Sequence, residues 1–223
     1  MIPAYRVVQA QQLPGDLGAV TPHLGRLYSR GALPIEPAVA VIGSRRATTY
    51  GLSVARDIGR FLGGLGVNVV SGLAAGIDGA AHRGALDAGG FSTAVLGSGI
   101  DVWYPARNRG LGEEILASGG AVISEFPPGT PPAPWRFPAR NRIIAGMVGA
   151  VIVVEAADRS GALITARMAL DLGKDVYAVP GDIDRETSLG CNRLIRDGAH
   201  PIDAIEVIEE LLGLEVARKA EPT

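Results

Sequence analysis

Short apolar runs that alternate with helix-like stretches fill most of this chain of 223 residues. The runs show no alternation of polar and apolar side chains, which is typical of strands that are covered by helices on both faces. Strands that alternate with helices favour a parallel sheet with right-handed crossovers. We therefore predict an α/β fold: a doubly wound, mainly parallel sheet with helices on both faces. Its six predicted strands are residues 38–42, 67–70, 93–96, 121–123, 150–154 and 176–179.

The stretch between the first two predicted strands has the spacing of an amphipathic helix. Its large apolar residues recur every three or four positions and so form one stripe. They are Val54, Ile58, Phe61, Leu62 and Leu65. The stripe predicts a contact with the core and no function.

The two ends of the chain differ from the predicted core of residues 38–202. Residues 1–37 contain five prolines and little periodicity, which predicts an irregular N-terminal arm packed on the core. Residues 202–214 have the pattern of a terminal helix, and from about Ala217 we expect a frayed tail, so that residues 203–223 form an acidic helix and tail. Residues 201–215 carry five acidic and no basic side chains. This C-terminal face should repel DNA.

The composition is that of a folded domain rather than a disordered or membrane-spanning chain. Hydrophobic residues make up 47% of it and charged residues 20%. The longest apolar run, residues 145–154, ends at Glu155 and is too short to cross a membrane. The N-terminus lacks the pattern of a secretory signal. Because Cys191 is the only cysteine, no internal disulfide can form, and we expect a cytoplasmic protein with no membrane partner.

The charge balance limits how this chain could bind an anion. A net charge of −2 excludes a globally basic surface that attracts polyanions from a distance, so any anion site must be local. Of the 21 basic residues only Lys174 and Lys219 are lysines, and the arginine guanidinium suits both phosphate oxygens and aromatic rings. A genome that favours arginine codons would produce the same bias.

The loop after the first predicted strand has the residue types of an anion site. In an open parallel sheet, ligands bind at the carboxyl ends of the strands, where helix N-termini present free N–H groups. Here Gly43 permits close approach of the backbone, and Ser44, Arg45 and Arg46 follow at once. The alternative is a plain glycine turn with two solvated arginines.

The loop after the second predicted strand repeats this pattern with small residues. Ser71 and the backbone amides from Gly72 onward are suited to phosphate oxygens. Asp78 and His82 lie four residues apart on one helical face and could form a catalytic pair. Alternatively, Asp78 is simply a carboxylate placed favourably near a helix N-terminus.

A third cluster lies between the fourth and fifth predicted strands. Residues 135–142 contain three arginines and two aromatic residues without one acid. Arginine for phosphates and aromatic rings for unstacked bases is the combination that single-stranded nucleic acid requires. A proline-punctuated loop before a helix is the alternative. After the fifth strand, Glu155 is followed by Ser160 and Gly161, which open the next helix.

Several enzyme signatures are missing from the sequence. It contains no G-x-x-x-x-G-K-[ST] phosphate loop, no G-x-S-x-G nucleophile elbow and no G-x-G-x-x-G after the first strand. Three histidines and one cysteine form no credible zinc set. We therefore expect no metal, no cofactor and no catalytic residue.

Taken together, the loops resemble those of one family, the bacterial DNA-processing protein A family (DprA, also called Smf). The resemblance extends from Leu33 to about Ile202. The stretches that carry it are VIGSR at 41–45, SGLAAGID at 71–78 with His82, Ser124 and Glu125, FPARNRIIAG at 137–146, Glu155 with Ser160, Gly161 and Thr165, Pro180 and Gly181, and GCNRLI at 190–195.

The resemblance implies an extended Rossmann-like fold and a non-enzymatic protein that protects incoming single-stranded DNA and loads the RecA recombinase during natural transformation. It also implies a homodimer. The residues it assigns to DNA binding are Gly43, Ser44, Arg45, Arg46, Ser71, Gly72, Phe137, Arg140, Asn141, Arg142, Ser160 and Gly161, with Glu155 and Thr165 as supporting residues. Beside Phe137, Trp135 is a further candidate for contact with unstacked bases.

This sequence departs from the family pattern in two respects. Many relatives carry a bulkier, often basic residue where this chain has Ala75, which implies one pocket charge fewer. Members also commonly have an N-terminal helical domain or a C-terminal winged helix, and we expect neither in this sequence.

Two other functions stay open from the sequence. One is a phosphoribohydrolase of the related lysine-decarboxylase-like fold, whose signature is P-G-G-x-G-T-x-x-E. The nearest stretch here, Pro180 and Gly181 followed by Asp182, lacks the later glycines and the threonine. The other is a nucleotide-sensing module that uses the same glycine-rich loops for a free phosphate ligand.

Overall fold

A computed structural model of the protein describes residues 4–20 and 24–213, which contain one mixed sheet. Its strands are β1 (Arg6–Val8), β2 (Leu27–Gly31), β3 (Ala38–Ile42), β4 (Asn68–Ser71), β5 (Ser92–Leu96), β6 (Ala121–Ser124), β7 (Ala150–Val153), β8 (Asp175–Ala178) and β9 (His200–Pro201). They are arranged in the order β1-β2-β6-β5-β4-β3-β7-β8-β9. The six predicted strands correspond to β3–β8, with ends shifted by one residue at most.

The chain winds outward from the centre of the sheet in two directions. Strand β3 pairs in parallel with β4 on one side and with β7 on the other, so that Ala40 lies opposite both Val70 and Val151. From β4 the chain proceeds through β5 to β6, and it then returns across the centre to β7, β8 and β9. The crossing point between β3 and β7 opens a crevice at the carboxyl ends of these strands.

Helices cover both faces of the sheet, as predicted. They are α1 (Leu17–Val20), α2 (Thr49–Gly64), α3 (Ile77–Asp87), α4 (Arg109–Ala117), α5 (Arg136–Met147), α6 (Gly161–Asp171), α7 (Leu189–Arg196) and α8 (Val207–Leu211).

Successive residues of the central strand point into two different core layers. Val39 and Val41 of β3 pack in the layer that contains Ile58 of α2, whereas Ala40 and Ile42 pack in the layer that contains Ile143 of α5. All five residues of β3 are buried. Burial on both faces explains why the strands read as continuous apolar runs.

Within residues 4–20 and 24–37, the N-terminal segment is not the irregular arm that the sequence predicted. Strand β2 pairs antiparallel with β6, with Ser29 opposite Ile123, and β1 pairs antiparallel with β2. The hydrophobic pattern did not predict β2, because Tyr28 and Arg30 are half-exposed and because Ser29 is polar although fully buried. These strands extend the sheet beyond β6, and the segment does pack on the core.

The C-terminal prediction is correct in part. Helix α8 covers Val207–Leu211 and is shorter than the predicted 202–214, because Ile202 follows the short edge strand β9 and is buried there. The predicted frayed tail lies outside the described residues. None of the helices in the described part of the chain has the length and apolar character that a bilayer span requires.

Candidate functional site

A cavity of about 630 Å³ opens at the carboxyl ends of β3 and β7, where the sheet changes direction. Nine of the predicted DNA-binding residues line this cavity, and so does the supporting residue Thr165. The nine are Gly43, Ser44, Arg45, Arg46, Phe137, Arg140, Asn141, Ser160 and Gly161. Residues that are distant in sequence therefore meet at one concavity, because the carboxyl ends of parallel strands share one edge of the sheet.

The loop after β3 is held in place by Glu155 at the end of β7. The Ser44 amide donates to the backbone oxygen of Glu155 at 2.7 Å. The buried Glu155 carboxylate accepts from the Thr48 amide at 2.9 Å and from the Thr48 hydroxyl at 2.6 Å. Thr48 in turn accepts from the Gly51 amide and caps α2. Glu155 thus braces the loop that presents Arg45 and Arg46.

Arg45 and Arg46 are exposed and form no ion pair with a carboxylate of the described residues. The Arg45 guanidinium carbon lies 5.0 Å from the centre of the Phe137 ring, within the range of a cation–π contact. Tyr104 stacks on the same ring, with 5.2 Å between ring centroids and an interplanar angle of 28°. The cavity wall therefore combines positive charge with a partly exposed aromatic surface.

Arg140 lines the same cavity but is buried and bonded to the chain itself. Its Nη1 donates to the backbone oxygens of Gly72, at 2.8 Å, and Val95. Burial lowers the pKa of Arg140 to about 10, although the nearby Asp78 carboxylate acts in the opposite direction. Arg140 contributes positive potential to the cavity, and its hydrogen bonds tie α5 to β5 and to the loop after β4.

Asp78 is the buried acidic partner of this arrangement. Its Oδ2 accepts from the amides of Gly72 at 3.0 Å and Ala74 at 3.3 Å. Burial raises the pKa of Asp78, while the Arg140 charge and these two amides oppose the shift. The carboxylate therefore holds the shape of the loop after β4.

The start of α6 provides a second source of anion-binding groups. Ser160 precedes the first turn of α6, and its hydroxyl is buried without a hydrogen-bond partner in the described part of the chain. The backbone oxygen of Gly161 accepts from Asn141 Nδ2 at 3.2 Å and from the Thr165 hydroxyl at 3.4 Å. Asn141 and Thr165 therefore orient this turn, and the free amides at a helix N-terminus are suited to an anion.

The profile of the family described as DNA recombination-mediator protein A matches residues 5–213 of the chain. The chain belongs to that family. It is 45% identical over 201 residues to Protein Smf of Escherichia coli K12, a match that covers 89% of this chain and 54% of that protein. The chain spans about half the length of the curated relatives it matches first.

Two solved structures of DNA processing protein A have the same fold as this family member. The Streptococcus pneumoniae protein superposes with a TM-score of 0.85 at 40% identity, covering 94% of this chain and 75% of that one. The Helicobacter pylori protein superposes with a TM-score of 0.82 at 28% identity, covering 93% and 95%. The latter structure is described in terms of a unique single-stranded DNA binding mode. The predicted family and the Rossmann-like fold are confirmed.

Three residues that the resemblance assigned to DNA binding lie outside the cavity of this family member. The Ser71 hydroxyl is fully buried and donates to the backbone oxygen of Val41 at 2.7 Å. The Gly72 amide is bonded to Asp78, and a Cβ at Gly72 would lie 2.3 Å from Arg140 Nη2. The loop after β4 is thus closed by its own contacts, and neither group is open to phosphate.

Arg142 is the third of these residues, and it pairs with Glu125 at 2.5 Å. Residues two positions apart on a helix point in different directions, so α5 cannot aim both Arg140 and Arg142 at one site. Trp135 is 63% exposed and also lies outside the cavity, where it contacts Arg136. Three of the four predicted arginines therefore share the cavity.

Asp78 and His82 do not form the catalytic pair that their spacing allowed. His82 is fully buried, and its Nδ1 lies 2.8 Å from the Ser92 hydroxyl. Burial lowers the pKa of His82 to about 3. Since the Ser92 hydroxyl itself donates to the Val69 oxygen, His82 Nδ1 is the donor in this contact. The histidine therefore belongs to the core.

Tyr104 is the site residue that the sequence did not reveal. It lies on the loop that follows β5 and is 44% exposed. An aromatic residue followed by proline after a strand was a signal in the sequence. That signal did not by itself predict a site, and only the tertiary contact with Phe137 brings Tyr104 to the cavity.

Proposed function

We propose that this chain binds single-stranded DNA in the cavity at the ends of β3 and β7. The observation that carries the proposal is that two exposed arginines, Arg45 and Arg46, line one cavity with the stacked rings of Phe137 and Tyr104. Arg142, by contrast, is paired with Glu125, and Arg140 is bonded to backbone oxygens. Two exposed arginines without such partners, beside exposed rings, suit phosphates and unstacked bases.

The strand would lie with a phosphate near Arg45, Arg46 and the start of α6. The Ser160 hydroxyl and the free amides of α6 add neutral donors to the two charges. A base would then stack on the outer side of Tyr104. Because any base offers a π-face, we expect weak sequence preference. Duplex DNA should bind less well, since its paired bases cannot reach the ring.

We propose further that the chain acts by binding and not by catalysis. Asp78, the acidic residue lining the cavity within the described residues, is bonded to two backbone amides. Glu155 is bonded to Thr48, and burial holds His82 neutral. These contacts leave none of the three poised as a general acid or base. Incubation with nucleoside monophosphates should therefore release no free base.

At the level of the cell, we propose that the protein protects incoming single strands and delivers them to the RecA recombinase during natural transformation, in the cytoplasm. The description of its family as a recombination mediator supports this role. A homodimer would place two cavities on one strand, and linkage would raise the apparent affinity without any new contact. That gain would help a chain of net charge −2 to hold a polyanion.

The test is fluorescence anisotropy with a labelled oligonucleotide across a series of salt concentrations. The logarithm of affinity should fall linearly with the logarithm of salt, at a slope near −0.7 per phosphate contact on a single strand. Unlabelled single-stranded competitor should displace the probe, whereas mononucleotide should not. Displacement by mononucleotide at equal phosphate concentration would favour a nucleotide sensor. Absence of binding at low salt would refute the proposal.

A further inference from the structure

A second open groove of about 740 Å³ lies between α2, α3 and α4, on the far side of the loop after β4. Its charged lining residues are Arg56, Arg83, Arg107 and Glu114. Three arginines and one glutamate thus line the groove, on a molecule whose net charge is negative. None of the residues assigned to DNA binding above lies in it.

Arg107 differs from the other arginines of this groove. Arg56 is paired with Asp87 at 2.6 Å, and Arg83 is paired with Glu114. Arg107 is exposed on the short turn before α4 and has no ion-pair partner in residues 4–20 and 24–213. An exposed, unpaired arginine in a concavity is the same arrangement that Arg45 and Arg46 have in the cavity.

Two chain segments reach from the cavity into this groove. Ala74 lines the cavity while Ala75 and Gly76 line the groove, and Tyr104 lines the cavity while Arg107 lines the groove. The amide of Asn108 joins the two segments, because its Nδ2 donates to the backbone oxygens of Leu73 and Ala74 at 3.0 and 2.9 Å. The cavity and the groove are therefore neighbours that share one rim.

The rim between them is low. Ala74, Ala75 and Gly76 carry nothing larger than a methyl group. Gly76 has a φ of 77°, and a Cβ there would lie 2.2 Å from the Ser44 backbone oxygen, so this position accepts no side chain without a shift of the loop. A flexible strand that occupies the cavity thus meets no bulky side chain on the 74–76 segment as it passes toward the groove.

We propose that single-stranded DNA continues from the cavity across Ala75 and Gly76 into this groove, where Arg107 binds a further phosphate. The inference rests on the proposed function, because it extends the path of the same strand. It assigns the groove a part in binding longer strands only. A very short oligonucleotide would fill the cavity without reaching Arg107.

The experiment compares oligothymidylates of about 4 and about 20 nucleotides, which bracket the ~4–16 nucleotides of common single-strand sites. Arg107→Ala should reduce the salt slope for the long strand by about 0.7, so that the affinity ratio between 50 and 200 mM salt falls about two- to threefold. Arg107→Glu should weaken long-strand binding further. Both variants should leave short-strand binding unchanged.

Arg109→Ala is the matched control. Arg109 is exposed and only two residues away, but it pairs with Glu113 at 2.8 Å and does not line the groove. The salt slope of Arg109→Ala for the long strand should equal that of the wild type. An unchanged long-strand slope in both Arg107 variants overturns the groove proposal, and so does an equal loss on short and long strands or an equal effect of Arg109→Ala. If the wild type binds neither strand, the proposed function itself fails.

Discussion

Arg45 lies over the face of Phe137, with 5.0 Å between the guanidinium carbon and the ring centroid. The contact joins the loop after β3 to helix α5, two segments between which β4, β5 and β6 lie in the sequence. It orients a positive charge beside the ring stack of Phe137 and Tyr104. This arrangement predicts how each substitution in the cavity should change DNA binding or stability.

Loss of Arg45 should weaken DNA binding without weakening the fold. Arg45→Ala removes an exposed charge that has no carboxylate partner among the described residues, so the midpoint of thermal unfolding should change little. The salt slope of single-strand binding should become shallower by about 0.7, the share of one phosphate. Anisotropy across a salt series measures this.

Arg167→Ala is a suitable control for Arg45→Ala. Arg167 is exposed on the outer side of α6 and pairs with Asp171 at 3.0 Å. The Arg167→Ala variant should have the same salt slope and the same affinity for single strands as the wild type. If Arg45→Ala retains the wild-type slope, the phosphate lies elsewhere on the molecule.

Tyr104 should contribute through its ring and not through its hydroxyl. Tyr104→Phe should bind single strands like the wild type. Tyr104→Ala should lose about 1–3 kcal/mol of binding free energy, the usual contribution of one stacked base. The measurement is equilibrium binding of both variants to the same oligonucleotide. Equal affinity of Tyr104→Ala and the wild type would exclude stacking at this position.

Arg140 should be needed for stability more than for direct contact with DNA. Arg140→Ala leaves the buried Asp78 without its opposing charge and removes the donor that bonds the oxygens of Gly72 and Val95. Each unsatisfied buried group costs roughly 1–3 kcal/mol. The loss of unfolding free energy, measured in urea, should therefore be several times larger than the loss in any surface variant.

Gly72→Ala provides an independent check on the role of Arg140. The added Cβ would collide with the Arg140 guanidinium, which is held between α5 and the ends of β4 and β5. It should therefore destabilise the fold in the same direction while leaving all charges in place. A Gly72→Ala protein as stable as the wild type would mean that the guanidinium can move freely.

The buried His82 should make stability fall in mild acid. Because burial lowers the pKa of His82 from 6.5 to about 3, the unfolded chain takes up a proton in this range before the folded one does. The contribution of the neutral imidazole is complete above pH ~6.5 and is lost as the pH falls toward about 3. Asp78 has the opposite effect on stability. Because burial raises its pKa, its contribution to stability falls as the pH rises above the ordinary pKa of an aspartate.

Comparison with His82→Gln isolates the contribution of the histidine to the pH dependence of stability. Urea unfolding at a series of pH values should show a steeper loss of stability below pH ~6.5 for the wild type than for the variant. Parallel curves for the two proteins would show that His82 is not buried in its neutral form.

The strands of the parallel sheet were predictable because burial on both faces leaves an unbroken apolar run. Residues 38–42 match β3 from end to end. Strand β2 was not predictable from its pattern, since the buried Ser29 is polar and its partner Ile123 lies almost a hundred residues away. Its place in the sheet depends on an antiparallel pairing with β6, which no local periodicity records.

The sequence by itself determined the class of fold and the chemistry that meets at its carboxyl edge. Apolar runs set the sheet, and the residues at their ends, Arg45, Arg46 and Phe137 among them, follow the rule that parallel strands gather their loops at one edge. Only the tertiary structure decided which of these side chains stay available. Packing turned Arg142 toward Glu125, closed Ser71 against β3, buried Arg140 among backbone oxygens and brought Tyr104 to the cavity. Side-chain direction and burial depend on neighbours that are distant along the chain, and a residue's type and position do not specify them.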